Sequence, residues 1–210
     1  PDGTDNDAGI DFGGEVGTAV TEYLVDLVAH ETFINDVDGL GVAAMFDGTG
    51  AAMFSGSWDY GALYEELGDD LGAAQLPTIN IGGEDKQMMA FAGSKAIGVN
   101  PNADNMQAAV ALARYLGSED AQSLHYELRN IVPSHMSLLE TPAMMEDPIV
   151  VAQNNTFDNT SVIQPFVPNM GNYWTPAETF GGAIVNGEVT AENAGEMTEG
   201  FNTSINASGV

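Results

Sequence analysis

The sequence contains no cysteine and only four basic side chains, Lys86, Lys95, Arg114 and Arg129, against 31 acidic ones. The first absence rules out disulfide cross-links and thiol catalysis, though it does not fix the compartment. The second leaves a formal charge of −27. So negative a surface repels phosphate backbones and anionic headgroups. It argues against nucleic acid and membrane surfaces as partners and favours cations or neutral, polar ligands. No apolar run approaches the roughly 18 residues of a membrane span. The chain opens on Pro1 with no initiator Met, basic n-region or apolar h-region. No signal peptide is therefore expected in it, and it reads as a mature or trimmed fragment.

What is present is a 44% share of hydrophobic residues in 210 positions, enough for one large or two small domains with a substantial core. The acids are scattered through amphipathic patterns rather than gathered in a tail, so disorder does not follow. The opening "PDGTDNDAGIDFGGE" (1–15) invites comparison with a calcium loop. With Gly9 at the sixth position and Glu15 at the twelfth, Thr4 and Ala8 fall at the first and fifth. The ligand pattern fails, and a polar loop is expected.

From Glu15 to His30, Val16, Val20, Tyr23, Leu24, Leu27 and Val28 recur at helical spacing, which predicts an amphipathic helix. A shorter helix is expected around Leu40–Phe46. "AAMFSGSW" (51–58) reads as a short buried strand ending on Trp58, and "YGALYEEL" (60–67) as a helix. "AAQLPTI" (73–79) reads as a second strand, "INIGGEDKQ" (79–87) as a surface loop, and "MMAFAGSKAIGVN" (88–100) as strand-like with small residues inside. Two helices then join at Gly117-Ser118, with Ser118 capping the second. Thr141 and Asp147 each precede a proline as N-caps. Thr190 is expected to cap a last helix striped by Ala194, Met197, Phe201 and Ile205. Strands separated by helices make an α/β class.

In "PFVPNMGNYWTP" (165–176), two prolines three apart, a glycine and two asparagines ahead of a third proline make a poor strand or helix. Thr175-Pro176-Ala177-Glu178 reads as a capping box, which predicts a helix from Pro176 to about Asn186. Trp174 then sits just before the cap, where a hydrophobic staple would form. The residue it would meet is Thr179, which is not apolar. The residues alone leave two readings of Trp174: a core side chain, or a plate held out to a ligand.

Three blocks, "MFDGTGAAMFSGSWDYG" (45–61), "FAGSKAIGVNPNADNMQAAVALARYLGSEDAQ" (91–122) and the stretch from "PFVPNM" to "NTSIN" (165–206), lie in register with one family. They resemble the second half of bacterial extracellular solute-binding proteins, above all the maltose/maltodextrin-binding type of ABC importers. The resemblance covers nearly the whole chain. It implies an α/β, periplasmic-binding-protein-like (type II) two-lobe fold. Residues 1–92 and 139–210 would be mostly the C-terminal lobe, and 93–138 a partial N-terminal-lobe segment.

The resemblance further implies a non-enzymatic, substrate-binding component of an ABC carbohydrate importer, outside the cytoplasm as a periplasmic protein or cell-surface lipoprotein. Its partners would be a neutral oligosaccharide, with α-glucan the best guess, the membrane permease subunits, and the missing N-terminal lobe of the same protein. No cofactor or metal is implied. The sugar would lie between lobes, gripped by aromatic rings on pyranose faces and by hydrogen bonds to hydroxyls. Trp58 and Tyr60 match two aromatics of one family motif, with Ser57 standing where the family has proline. Trp174 matches the aromatic of a Pro-x-x-Pro-x-Met…Trp segment, with Pro165, Pro168 and Met170 in place. Thr175 and Glu178 replace a tyrosine and an arginine of the maltose type. Tyr173, Asp59 and Asn172 complete the candidate ligand set. Rings beside Asn and Asp suit a ligand with apolar C–H faces and a polar rim.

Two other classes stay open on the residues. A carboxylate-based glycoside hydrolase would have acids in plenty but no marked pair, and GxSxG, HExxH, GxGxxG and P-loop patterns are absent. An acidic calcium-dependent adhesion module is the second. His30, His125 and His135 share no metal-ligand spacing. The Asn-x-Ser/Thr sequons at Asn154, Asn159, Asn202 and Asn206 arise freely in Asn/Thr-rich stretches and decide nothing.

Self-repulsion among the acids destabilises the compact state most at low ionic strength, where the Debye length is about 30 Å at 0.01 M salt against about 10 Å at 0.1 M. The melting temperature is therefore expected to rise as NaCl increases over that range. A thermal scan that finds it flat or falling refutes the expectation.

Overall fold

A computed structural model describes residues 10–36 and 38–207. The loop reading of residues 1–9 lies outside the described residues. α1 (Gly14–Ala29), α2 (Leu40–Asp47) and α3 (Ser57–Leu67) come first, followed by β1 (Thr78–Ile81), β2 (Glu84–Gln87) and β3 (Ala90–Ala92). Then come α4 (Met106–Leu116), α5 (Glu119–Arg129), α6 (Met136–Leu139), α7 (Pro142–Glu146) and α8 (Pro148–Asn159). β4 (Ser161–Ile163), α9 (Trp174–Val185) and α10 (Ala194–Ala207) complete the order. Contacts gather the described residues into two units. One holds 10–41, 78–87 and 164–207, and the other holds 42–77 and 88–163. Residues 93–138 fall in one unit with 42–77 and 139–163.

In the first unit α1 packs on α9 and α10. Ile184, Val189, Ala194 and Ile205 are buried there together with Thr21 and Thr198. α1 forms where the periodicity places it, and Val20, Tyr23, Leu24, Leu27 and Val28 are half-buried while Val16 is exposed. Its buried centre is polar. Thr21 Oγ1 donates to the Gly17 carbonyl at 3.1 Å and lies 2.6 Å from Thr198 Oγ1. A hydroxyl has one proton, so with Thr21 committed to Gly17 the donor across the helix pair is Thr198. α10 begins later than a Thr190 cap would allow. Residues 191–193 form a turn, Asn193 Oδ1 accepts the Thr190 N–H at 2.7 Å, and the Asn193 carbonyl receives Met197 N–H at 3.0 Å.

The same unit contains a hairpin where a loop was expected. β1 and β2 pair antiparallel from Thr78↔Gln87 to Ile81↔Glu84. The two-residue turn is Gly82-Gly83, with φ 60° and 87°, a conformation that glycine adopts without strain. β2 is Glu-Asp-Lys-Gln, exposed throughout, so it shows no apolar alternation to read. The strand expected over 73–79 begins only at Thr78, after Pro77, whose missing N–H cannot join a ladder.

In the second unit α3 and α7 pack on α8, and β3 runs parallel to β4 in the register Ala90↔Ser161 to Ala92↔Ile163. Leu63, Ala121, Met144, Val150, Ala152 and Thr160 are buried. The buried strand expected over 51–58 is absent. Residues 51–56 are irregular, Phe54 is 65% exposed, and Ser57 already starts α3. A run of small apolar residues becomes a strand only where a neighbour offers a ladder, and none does here. α4 and α5 join at Gly117-Ser118 as expected, with Ser118 Oγ accepting the Ala121 N–H at 3.3 Å. Asp147 Oδ1 caps α8, accepting from Ile149 at 2.8 Å and Val150 at 3.4 Å. Thr141 holds the cap position of α7 but makes no cap bond; its hydroxyl donates to the Leu138 carbonyl at 2.8 Å.

The direction of the buried hydroxyl pair sets an asymmetry. Thr21→Val strands the Thr198 proton in the core and is expected to cost about 1–3 kcal/mol, whereas Thr198→Val leaves Thr21 bonded to Gly17 and costs about 1 kcal/mol. Equal losses in chemical denaturation would reverse the donor assignment.

Candidate ligand-binding site

In the second unit, Trp58 occupies the first turn of α3 and is 80% exposed. The Cε3–Cζ3–Cη2 edge of its six-membered ring lies beside Gly56, where an added Cβ would come within 2.2 Å of the indole Cζ3. Any side chain at 56 would push the ring away. The indole thus lies against Gly56 and is otherwise largely exposed. Asp59 is engaged locally, because the Ser55 hydroxyl donates to its carboxylate and braces the turn that leads into α3.

Tyr60 is not brought beside Trp58, since positions two apart on a helix do not face each other. It stacks on Tyr64, with ring centroids 5.6 Å apart and planes at 20°. Both rings line a shallow cavity of about 400 Å³ together with Asn130, Asp69 and Asp147. The Tyr126 hydroxyl donates to Asp147 Oδ2, leaving Oδ1 for the α8 cap. Burial first, then the hydrogen bond to Asp147 and its negative charge, hold the Tyr126 phenol well above the ordinary tyrosine range. Burial, with Asp147 next, also raises Tyr60.

In the first unit, a 3₁₀ turn over Pro168–Asn172 runs straight into α9, which starts at Trp174, two residues before the expected Pro176. The capping box at Thr175 therefore does not form. The 3₁₀ turn delivers the chain in right-handed helical conformation, with Tyr173 at φ −70° and ψ −43°, so the extended residue that a box requires is missing. The Thr175 carbonyl instead accepts the Thr179 hydroxyl at 3.0 Å. Trp174, the first residue of α9, is 51% exposed, while Asn172 and Tyr173 are half-buried.

Tyr173 and Trp174 do come together, edge to face at 5.2 Å and 72°. Behind them lies a ring cluster that sequence reasoning missed. Phe12 stacks on Tyr173 at 5.3 Å and 25°, Phe201 is 5.6 Å from Phe12, and Phe180 stacks on Phe201 at 4.6 Å and 5°. Only Phe201 carried a signal, as part of the α10 stripe. The six candidate side chains fall into two sets: Trp58, Asp59 and Tyr60 in one unit, and Asn172, Tyr173 and Trp174 in the other. Among the described residues no group of three acidic or histidine side chains could hold a metal ion.

The model of the bacterial extracellular solute-binding protein family matches residues 1–152. The chain belongs to that family. A galactooligosaccharide-binding protein of Bacillus subtilis is 29% identical over 150 residues, covering 70% of this chain and 34% of that protein. A maltooligosaccharide ABC transporter solute-binding lipoprotein of Streptococcus pneumoniae is 26% identical over 164 residues, 77% of this chain and 38% of that protein. A solved structure described as being with acarbose is 47% identical, with a TM-score of 0.92 over 99% of this chain and 55% of its own. The maltose-maltodextrin binding protein of Alicyclobacillus acidocaldarius is 20% identical with a TM-score of 0.78, covering 93% of this chain and 52% of its own. The fold is thus the α/β, type II periplasmic-binding-protein fold. The chain spans about a third of the length of its curated relatives and about half that of the solved ones.

A phenol whose folded-state pKa lies above its unfolded value stabilises fully below about pH 10 and loses that contribution as pH rises further, because the unfolded chain gives up its proton first. Denaturation at about pH 9 and about pH 11 is expected to show the loss, with a smaller decline in Tyr126→Phe. An equal decline in both proteins would dismiss the Tyr126–Asp147 contact as its source.

Proposed function

We propose that this chain is part of the carbohydrate-binding component of an ABC importer, a receptor rather than an enzyme. The ligand is a neutral maltooligosaccharide-like sugar. One observation carries the reading: the exposed indole of Trp58, set against Gly56, in a chain of the solute-binding family. A sugar presents an apolar C–H face to such a plate and a rim of hydroxyls to polar neighbours. Each unit offers its own part of the candidate set: Trp58, Asp59 and Tyr60 in one, Asn172, Tyr173 and Trp174 in the other. The −27 charge is compatible with an uncharged ligand and opposes an anionic one. The similarity to a protein solved with acarbose, and to relatives named for galacto- and maltooligosaccharides, supports the same class.

The whole protein would act outside the cytoplasm, in the periplasm or as a cell-surface lipoprotein, and deliver sugar to membrane permease subunits. Residues 93–138 would belong to the N-terminal lobe and meet the rest of it in the longer protein. That assignment is supported by α4, which buries none of its residues against the chain described here and leaves Leu112 and Tyr115 exposed.

The test is calorimetry of the full-length protein against maltooligosaccharides, galactooligosaccharides, amino acids and peptides. Truncating a central interface aromatic commonly costs about 2 kcal/mol, so Trp174→Ala is expected to weaken sugar binding at least about tenfold. Its unfolding midpoint should barely move, since the side chain is half exposed. Binding of a peptide but no neutral sugar would sink the function. A large loss of stability in Trp174→Ala would make that residue packing instead.

A further inference from the structure

Phe12 lies in an irregular stretch before α1 and is 40% exposed, so burial alone gives little reason for its fixed place. The backbone around it is nevertheless held by α10 at every second residue. Ile10 N–H donates to Asn206 Oδ1 at 3.2 Å, and the Ile10 carbonyl accepts from Asn206 Nδ2 at 2.7 Å. Phe12 N–H donates to Asn202 Oδ1 at 2.9 Å, and Gly14 N–H to Glu199 Oε1 at 2.6 Å. Residues 10, 12 and 14 thus meet residues 206, 202 and 199, which lie on successive turns of α10. Both sequon asparagines at 202 and 206 are thereby occupied in this clamp.

The clamp delivers one ring to one place. Phe12 stacks on Tyr173, and Tyr173 meets the Trp174 indole edge-on. Trp174 is the first residue of α9, and Tyr173 before it also meets Phe201 at 6.4 Å and 62°. We infer that Phe12 is a positioning residue for the Trp174 plate, holding its orientation through Tyr173, with Asn202, Asn206 and Glu199 fixing Phe12 in turn. The inference rests on Trp174 contacting sugar, and its test separates the two ideas.

Fluorine NMR of full-length protein labelled with fluorotryptophan reads Trp174 without ligand, its resonance assigned by its loss in Trp174→Phe. Trp58, assigned likewise, is the internal control. Phe12→Leu keeps apolar volume but removes the stack. It is expected to shift or broaden the Trp174 resonance, leave that of Trp58 in place, and weaken acarbose binding roughly three- to tenfold, the scale of one aromatic pair. Phe12→Tyr restores both readouts. Asn202→Ala, which releases the Phe12 backbone without touching a ring, is expected to move the Trp174 resonance the same way. A Trp174 resonance unmoved in the folded Phe12→Leu and Asn202→Ala proteins overturns the proposal. If Phe12→Leu moves the resonance while Trp174→Ala leaves acarbose affinity unchanged, positioning stands and the sugar-contact reading falls.

Discussion

The packing of α10 on α1, and on the stretch before it, is the constraint on which the first unit depends. It joins groups as far as 196 positions apart in sequence, and much of what joins them is polar. The Thr21–Thr198 bond is buried, so a register shift of α10 would leave a hydroxyl unsatisfied in the core. The amide clamp on residues 10–14 repeats the register check at the surface. Hydrophobic contact alone tolerates sliding; two independent sets of hydrogen bonds do not. The hairpin β1–β2 and α9 both lean on α1, so their places follow once that helix pair is set. The cost is non-locality: closing so long a loop precedes any gain from the contacts it makes.

How much of this was legible follows the same division between local and distant causes. α1, α2, α4 and α5 could be read because their periodicity or caps lie within a dozen residues, and the Ser118 and Asp147 caps form as their side chains dictate. Thr190 and Thr175 failed as caps for a shared reason. A Ser/Thr pattern specifies a helix start only if the chain arrives extended, and in both places a turn or 3₁₀ segment arrives instead. The hairpin was missed because a strand exposed on both faces has no alternation, and the 51–58 strand was expected because small apolar residues carry no sign of whether a partner exists. The lobes came from resemblance rather than from pattern. Contacts within this chain group 93–138 with flanking segments in a division that composition never announced.

The two candidate plates show the same contrast within the site. Trp58 is fixed by the residue two before it, and "GSW" contains the whole device: a missing Cβ, a turn and a ring. Trp174 is fixed by a relay through Tyr173 to Phe12, whose own place is set by three side chains on the last helix. "GIDFGG" around Phe12 looks like any polar, glycine-rich loop, so nothing local marks it. The physical consequence is that the two rings respond differently to loosening of their units. A ring set beside the main chain two residues before it depends on local structure. A plate in contact with stacked rings is exposed as well to the loss of a tertiary contact between chain segments about 160 residues apart. In a protein carrying so much like charge, and with Asp59 already engaged by Ser55, a neutral ligand draws little from electrostatics. On the proposed reading the orientation of the rings governs affinity, and of the two rings it is Trp174 whose orientation a tertiary contact within its own unit supports.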